Sequence, residues 1–135
     1  MPGAGPVLGA IADDLTGATD LALTLSRGGM AVQQVVGVPE ADTDLTGADA
    51  VVVSLKSRTI PPDEAVVQSR ASAAALLAAG ARQLFFKYCS TFDSTDRGNI
   101  GPVIGALLDL LGESRTLACP AFPANGRSVY KGHLF

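Results

Sequence analysis

Apolar residues come in blocks along this chain, and their lengths and spacing predict the elements. Pro6 to Ala12, PVLGAIA, is a short apolar run ended by Asp13 and Asp14, and its length favours a strand buried on both faces. Leu21, Leu25 and neighbouring alanines then recur at helical spacing, with Thr16 placed to cap that helix and Gly28-Gly29 to stop it. AVQQVVGV is a second strand. Ala50 to Leu55, β-branched and continuous, is a third, with Lys56, Ser57 and Arg58 directly at its carboxyl end. Pro61-Pro62 opens the helix DEAVVQSRASAAALLAAGA, which has acids in its first turn and Gly80 near its end. Gln83 to Tyr88 is the fourth strand. Ile104, Leu107, Leu108 and Leu111 mark a helix over Ile100 to Leu111 that Gly112 closes, and Thr116 to Cys119 is a fifth short strand.

Strands alternating with helices of this length imply right-handed βαβ units. The fold class is therefore α/β: a Rossmann-like three-layer α/β/α arrangement with a mostly parallel sheet and helices on both faces. No repeat, low-complexity block or linker divides the chain, so residues 1–135 form one unit.

Composition narrows the function. The 135 residues are 47% hydrophobic and 17% charged, as in ordinary globular domains. A net charge of −3 without a Lys/Arg run excludes an electrostatic footprint for nucleic acid. No apolar stretch approaches the ~20 residues of a membrane span, and no basic region precedes the first apolar run. Cys89 and Cys119 lack metal-site or scaffold spacing and fit reduced thiols in the cytoplasm.

The polar clusters share one property: each follows a predicted strand. Asp13-Asp14, Lys56-Ser57-Arg58, Lys87 to Arg97, and PAFPANGR succeed the first, third, fourth and fifth strands. Ligands of open α/β sheets bind beyond the carboxyl ends of the strands, so these four loops are expected to line one crevice. Arg58, Lys87, Arg97 and Arg127 are its candidate cations, and their convergence without a basic surface points to a small anion. Ser90, Thr91, Ser94 and Thr95 precede a helix whose free N–H groups suit the same ligand. Asp93 would repel an anion unless it binds a hydroxyl or pairs with Lys87 or Arg97, which favours a ligand bearing both a carboxylate and hydroxyls. Asp13 and Asp14 offer either helix capping or acceptance of a substrate hydroxyl's proton. His133, the only histidine, reads as structural packing, since no second metal ligand stands near it. There is no GxxxxGK[ST] loop and no strand followed by GxGxxG.

The stretches IADDLTGATD, KYCSTFDSTDRGNIGPV and PAFPANGRSVYKGHLF resemble the amino-terminal half of the four-carbon acid sugar kinases, in their 3-oxo-tetronate kinase branch. The resemblance runs from about Val7 to Phe135. It implies an incomplete amino-terminal acid-sugar-binding domain, with ATP and Mg2+ bound mainly by a carboxyl-terminal nucleotide domain that this chain lacks. It also implies transfer to the terminal hydroxyl of a four-carbon acid sugar, which a fragment without the ATP domain should not catalyse. By the same resemblance Asp13 and Asp14 match the paired acids of the first motif, and Arg58 the arginine after the third strand. Lys87, Asp93, Ser94 and Thr95 match the lysine and DST motif, and Asn125, Gly126 and Arg127 the last. Arg97 stands where the wider family has Arg before Gly-Asn and the 3-oxo-tetronate branch is looser.

The expected division of roles has Arg58, Lys87 and Arg127 on the carboxylate and Asp13, Asp14 and Asp93 on hydroxyls, one of these acids serving as base. A sheet edge or apolar surface left bare would be covered in a homo-oligomer. Two rivals stand beside the kinase: an acid-sugar-binding module without turnover, and a sugar-acid dehydratase or aldolase, for which Lys87 is the plausible Schiff-base lysine.

Overall fold

The computed structural model of the protein describes residues 5–92 and 94–135. Its elements are β1 (Leu8–Ala12), α1 (Leu15–Arg27), β2 (Val32–Val36), β3 (Ala50–Ser54), α2 (Pro62–Ala78), β4 (Gln83–Lys87), α3 (Ile100–Leu111), a 3-10 turn at Pro123–Asn125, β5 (Val129–Tyr130) and β6 (His133–Leu134). The first four strands form one parallel sheet in the order β2-β3-β1-β4.

Residue alternation along the strands sorts the helices onto two faces. Ala10, Ala12 and Val52 point to one side, where Ala18, Leu21, Ala22 and Leu25 of α1 pack on them. The alanines of β1 keep that face flat enough for α1 to lie close. Ile11, Val51 and Val53 point to the other side, against Ala65, Ala73 and Leu76 of α2 and Val103 and Leu107 of α3. All five residues of β3 are buried, which explains its unbroken β-branched run. The expected α/β/α layering is thus formed.

Three local readings are corrected. Thr16 does not cap α1: Asp14 takes the extended conformation and its side chain accepts from the Gly17 N–H. β2 ends at Val36 rather than continuing to Val38, because Gly37 turns the chain at φ 82°. The expected fifth strand at Thr116 to Cys119 does not form. A groove of about 430 Å³, lined by Leu84, Phe86, Ile104, Leu108 and Leu117, separates that stretch from β4, out of ladder distance. Pro120 next to it offers no N–H to a neighbouring strand.

Beyond α3 the chain forms local structure instead. Phe122 and Arg127 bridge across the 3-10 turn, and β5 pairs antiparallel with β6. Lys131 and Gly132 between them both have positive φ, 48° and 79°, the pattern of a type I′ hairpin turn. His133 belongs to this hairpin, exposed beside the Phe135 ring at 6.5 Å and not packed in a core.

Candidate active site

Register brings the strand ends level. Ala12 of β1 lies opposite Ser54 of β3 and Lys87 of β4, so the chain leaves all three strands at one height. The crossovers from β1 and β3 run in opposite directions and carry helices to opposite faces, the arrangement that opens a crevice between neighbouring strand ends.

Main-chain hydrogen bonds tie these three exits together. The Asp13 N–H donates to the Lys87 carbonyl at 3.2 Å, and the Asp13 carbonyl accepts from the N–H groups of Ser57 and Arg58 at 3.1 and 3.3 Å. The two neighbouring acids then part company. Asp14 is spent on structure: its Oδ1 accepts from Gly17 N–H at 2.6 Å, and its Oδ2 lies 3.6 Å from the Arg58 guanidinium. Glycine at 17 leaves room for this, since a Cβ there would sit 2.8 Å from Asp14 Oδ1 and 3.7 Å from Lys87 Nζ.

Asp13 is placed differently. It is 5% exposed, and among the described residues its Oδ1 is buried without a hydrogen bond. Burial, and next the charge of Asp14, push its carboxyl up to about 6, while Arg58 and Lys87 pull in the other direction. A buried carboxylate with an open acceptor and a raised pKa is arranged to take a hydrogen bond, or a proton, from something that enters the crevice.

Cations and hydroxyls surround it. Lys87 reaches over α1's first turn and donates to the Tyr88 carbonyl at 2.7 Å. Arg58 donates to Thr91 Oγ1 at 3.1 Å, and the Thr91 hydroxyl in turn contacts Cys89 Sγ at 3.1 Å. Arg127 donates to the hydroxyl of Ser90, which attaches the carboxyl-terminal stretch to the same loop. Phe92 holds a φ of 49° there, its ring 5.2 Å from that of Tyr88 and its N–H on the Cys89 carbonyl.

The other expected residues are placed differently. Ser94, Thr95 and Arg97 are exposed and make local bonds: Ser94 N–H to the Phe92 carbonyl and Arg97 N–H to Thr95 Oγ1. Asn125 is exposed in the 3-10 turn, and Gly126 ends that turn at φ 72°. Asp93 lies outside the described residues. Sequence reasoning missed Asn99 and Ser57 as participants. Asn99, 8% exposed, turns its amide away from the helix it begins and donates to the carbonyls of Ser57, Arg58 and Ile60. An asparagine before a helix reads as a cap, so its sequence position concealed this contact.

Comparison with known proteins agrees with the geometry. A family profile described as "Sugar-binding N-terminal domain" matches residues 8–135. Proteins described as 3-oxo-tetronate kinase from Burkholderia multivorans and Cupriavidus necator are 63% and 62% identical over 130 and 132 residues, 96% of this chain in both cases. The chain spans only 30% and 31% of their lengths. Among solved structures, a Haemophilus influenzae protein is 50% identical with a TM-score of 0.90, over 94% of this chain and 31% of its own. A Bordetella bronchiseptica protein, solved with bound citrate as a domain-swapped dimer, is 37% identical with a TM-score of 0.86, over 97% of this chain and 33% of its own. With a family match across nearly its whole length and the parallel sheet in place, this chain belongs to the sugar-binding N-terminal domain family.

Proposed function

We propose that this chain is the substrate-binding part of an ATP-dependent kinase that phosphorylates the terminal hydroxyl of a four-carbon acid sugar such as 3-oxo-tetronate. The observation that carries the reading is the buried, unpartnered Asp13 oxygen beside Arg58 and Lys87 at the level ends of β1, β3 and β4. A ligand with hydroxyls and a carboxylate satisfies both charge types at once. The names of the kinase relatives and the citrate held by the Bordetella relative, itself a hydroxylated carboxylate, favour the same ligand chemistry.

In this reading Arg58, Lys87 and Arg127 hold the carboxylate, the guanidinium groups by paired N–H donors and Lys87 as a point charge. Asp14 is occupied by its cap and by Arg58, which leaves Asp13 as the base for the substrate hydroxyl. Burial serves this role, because a carboxylate with its pKa raised to about 6 is a stronger proton acceptor at neutral pH than an ordinary aspartate and is still ionised. Ser94, Thr95, Arg97, Asn125 and Gly126 are the further substrate-binding residues of this reading.

ATP with Mg2+ is expected to be held mainly outside this chain's candidate site. Asp13 and Asp14 share their site with two cations, and among the described residues no three Asp, Glu, His or Cys side chains cluster as metal ligands. The nucleotide and its metal are assigned to other parts of the whole protein, and no step is routed through them. The swapped dimer of the Bordetella relative favours a homo-oligomer here as well.

The test is calorimetric titration of the native polypeptide carrying this sequence with erythronate, a four-carbon acid sugar, and with erythritol, which lacks the carboxylate. ADP release from ATP is followed in parallel. The expected result is binding that needs the carboxylate and weakens about 10- to 100-fold in Arg58→Ala, as loss of a charged hydrogen-bonded partner implies. Binding without any ADP release from acid sugars would replace the kinase by a binding module. Indifference to the carboxylate would remove the acid-sugar reading altogether.

A further inference from the structure

The loop that carries Arg58 has no ladder of its own. Residues 55–61 form neither helix nor strand, yet Arg58 must be held well enough for its guanidinium to reach Asp14 at 3.6 Å and Thr91 at 3.1 Å. Its N–H side is anchored by the Asp13 carbonyl, which accepts from Ser57 and Arg58. Its C=O side is anchored by one side chain. The Asn99 amide nitrogen lies 2.9 Å from the Ile60 carbonyl and 3.4 Å from that of Arg58, and it also donates to the Ser57 carbonyl.

Asn99 makes no side-chain cap bond to α3, although it occupies the cap position. Both it and Ser57 are more than nine-tenths buried, so the bond between them has little access to water. Asn99 also ends the stretch that carries Ser90, Thr91 and the exposed hydroxyls. The Asn99 amide therefore ties the backbone of the loop after β3 to the loop after β4, beside the side-chain bond from Arg58 to Thr91.

We propose that Asn99 is the positioning residue of the acid-sugar site, acting through the Ser57 to Ile60 backbone to hold Arg58 where it meets the ligand carboxylate; this rests on the function proposed above. The requirement is for a donor. Replacing the amide by an isosteric carboxylate would set two acceptors against three carbonyl acceptors, so Asn99→Asp keeps the volume and reverses the interaction. The loop then moves, and a misplacement of a positioning guanidinium by a fraction of an ångström is felt in binding.

The experiment measures erythronate and erythritol affinities by calorimetry on the native polypeptide in five forms: wild type, Arg58→Ala, Asn99→Asp, Asn99→Ser, and Asn99→Asp combined with Arg58→Ala. Circular dichroism and thermal melting accompany each. Expected are erythronate affinity weaker by about 10- to 100-fold in Asn99→Asp with erythritol affinity unchanged, partial recovery in Asn99→Ser, which retains one donor, and almost no further loss when Arg58→Ala is added. If Asn99→Asp does not fold, Asn99→Ser alone and with Arg58→Ala is read by the same criteria. Wild-type erythronate affinity in a folded Asn99→Asp, equal loss for both ligands, or losses that simply add to that of Arg58→Ala would overturn the inference. An Arg58→Ala variant that binds erythronate normally would overturn this inference through its premise, whereas wild-type binding indifferent to the carboxylate would overturn the acid-sugar reading, a separate result from an Arg58-dependent site indifferent to Asn99.

Discussion

At the end of β1 a carboxylate, Asp13, is 5% exposed with one oxygen unpartnered, while in the β5-β6 hairpin the aromatic residues Tyr130 and Phe135 are 64% and 68% exposed. Burial is inverted between the two regions. The first is held by contacts between residues far apart in sequence: Ala12 with Ser54 and Lys87, Asp13 with Ser57 and Arg58, Asn99 with the loop after β3. The second is held by neighbours, through the Phe122-Arg127 bridge, the Lys131-Gly132 turn and the Ser128-Phe135 pair. Long-range packing can keep a polar group in an unfavourable place, and local turns cannot. The cost at Asp13 is thus compatible with use of that group, whereas the hairpin's exposed rings store no comparable strain.

The sharpest break of this contrast is Asp13→Asn. On the proposed role of Asp13 as base in the whole protein, this variant should lower phosphate transfer about 10²- to 10⁴-fold, read as ADP release, with the fold retained. The same variant should melt at a higher temperature than wild type at pH 8, because it no longer buries a charge there.

Next in size is the core beneath the site. Leu76→Ala, at a fully buried position of α2, should destabilise by about 2–5 kcal/mol in urea unfolding. Tyr130→Ala, in the exposed hairpin, should stay within about 0.5 kcal/mol. Equal effects at the two positions would erase the distinction between the regions.

The pH dependence has a definite sign. The folded-state pKa of Asp13, about 6, lies above its ordinary value of 3.8, so between these the native state binds more protons than the unfolded one. Stability should fall as pH rises through that window and level off above about 6, by about 3 kcal/mol at most. Under the proposed role of Asp13, the whole protein's activity should move oppositely, rising through pH 6 as its carboxyl ionises. Asp13→Asn should flatten this part of the stability curve. The smallest expected effect is at the hairpin turn: Gly132→Ala, at φ 79°, should cost about 1 kcal/mol and speed amide exchange in residues 128–135 without altering erythronate affinity.

Much of this organisation is legible in the residues. The buried run of β3, the helical spacing of α1 and α3 and the Pro61-Pro62 start of α2 each carry a local physical cause, and each element forms close to its expected bounds. Placing polar loops after the strands also anticipates that Asp13, Asp14, Arg58 and Lys87 lie close together. The fifth strand was less legible, since Thr116 to Cys119 has strand composition but Leu117 is 97% exposed, with the apolar groove between the stretch and β4.

Sequence by itself determined the alternation of elements, the parallel sheet they require and the chemical types gathered at its carboxyl edge, because periodicity, turn residues and capping preferences act within a few residues. Tertiary structure alone decided which of two adjacent aspartates is free. Asp14 meets a helix N–H and a guanidinium from another loop, and Asp13 is buried with one oxygen lacking a hydrogen bond. It also decided that an asparagine in a cap position serves a loop some forty residues earlier in the chain. Both outcomes depend on groups brought together across the sheet, and a hydrogen bond or a desolvated charge is set by whatever lies within a few ångströms, however distant in sequence.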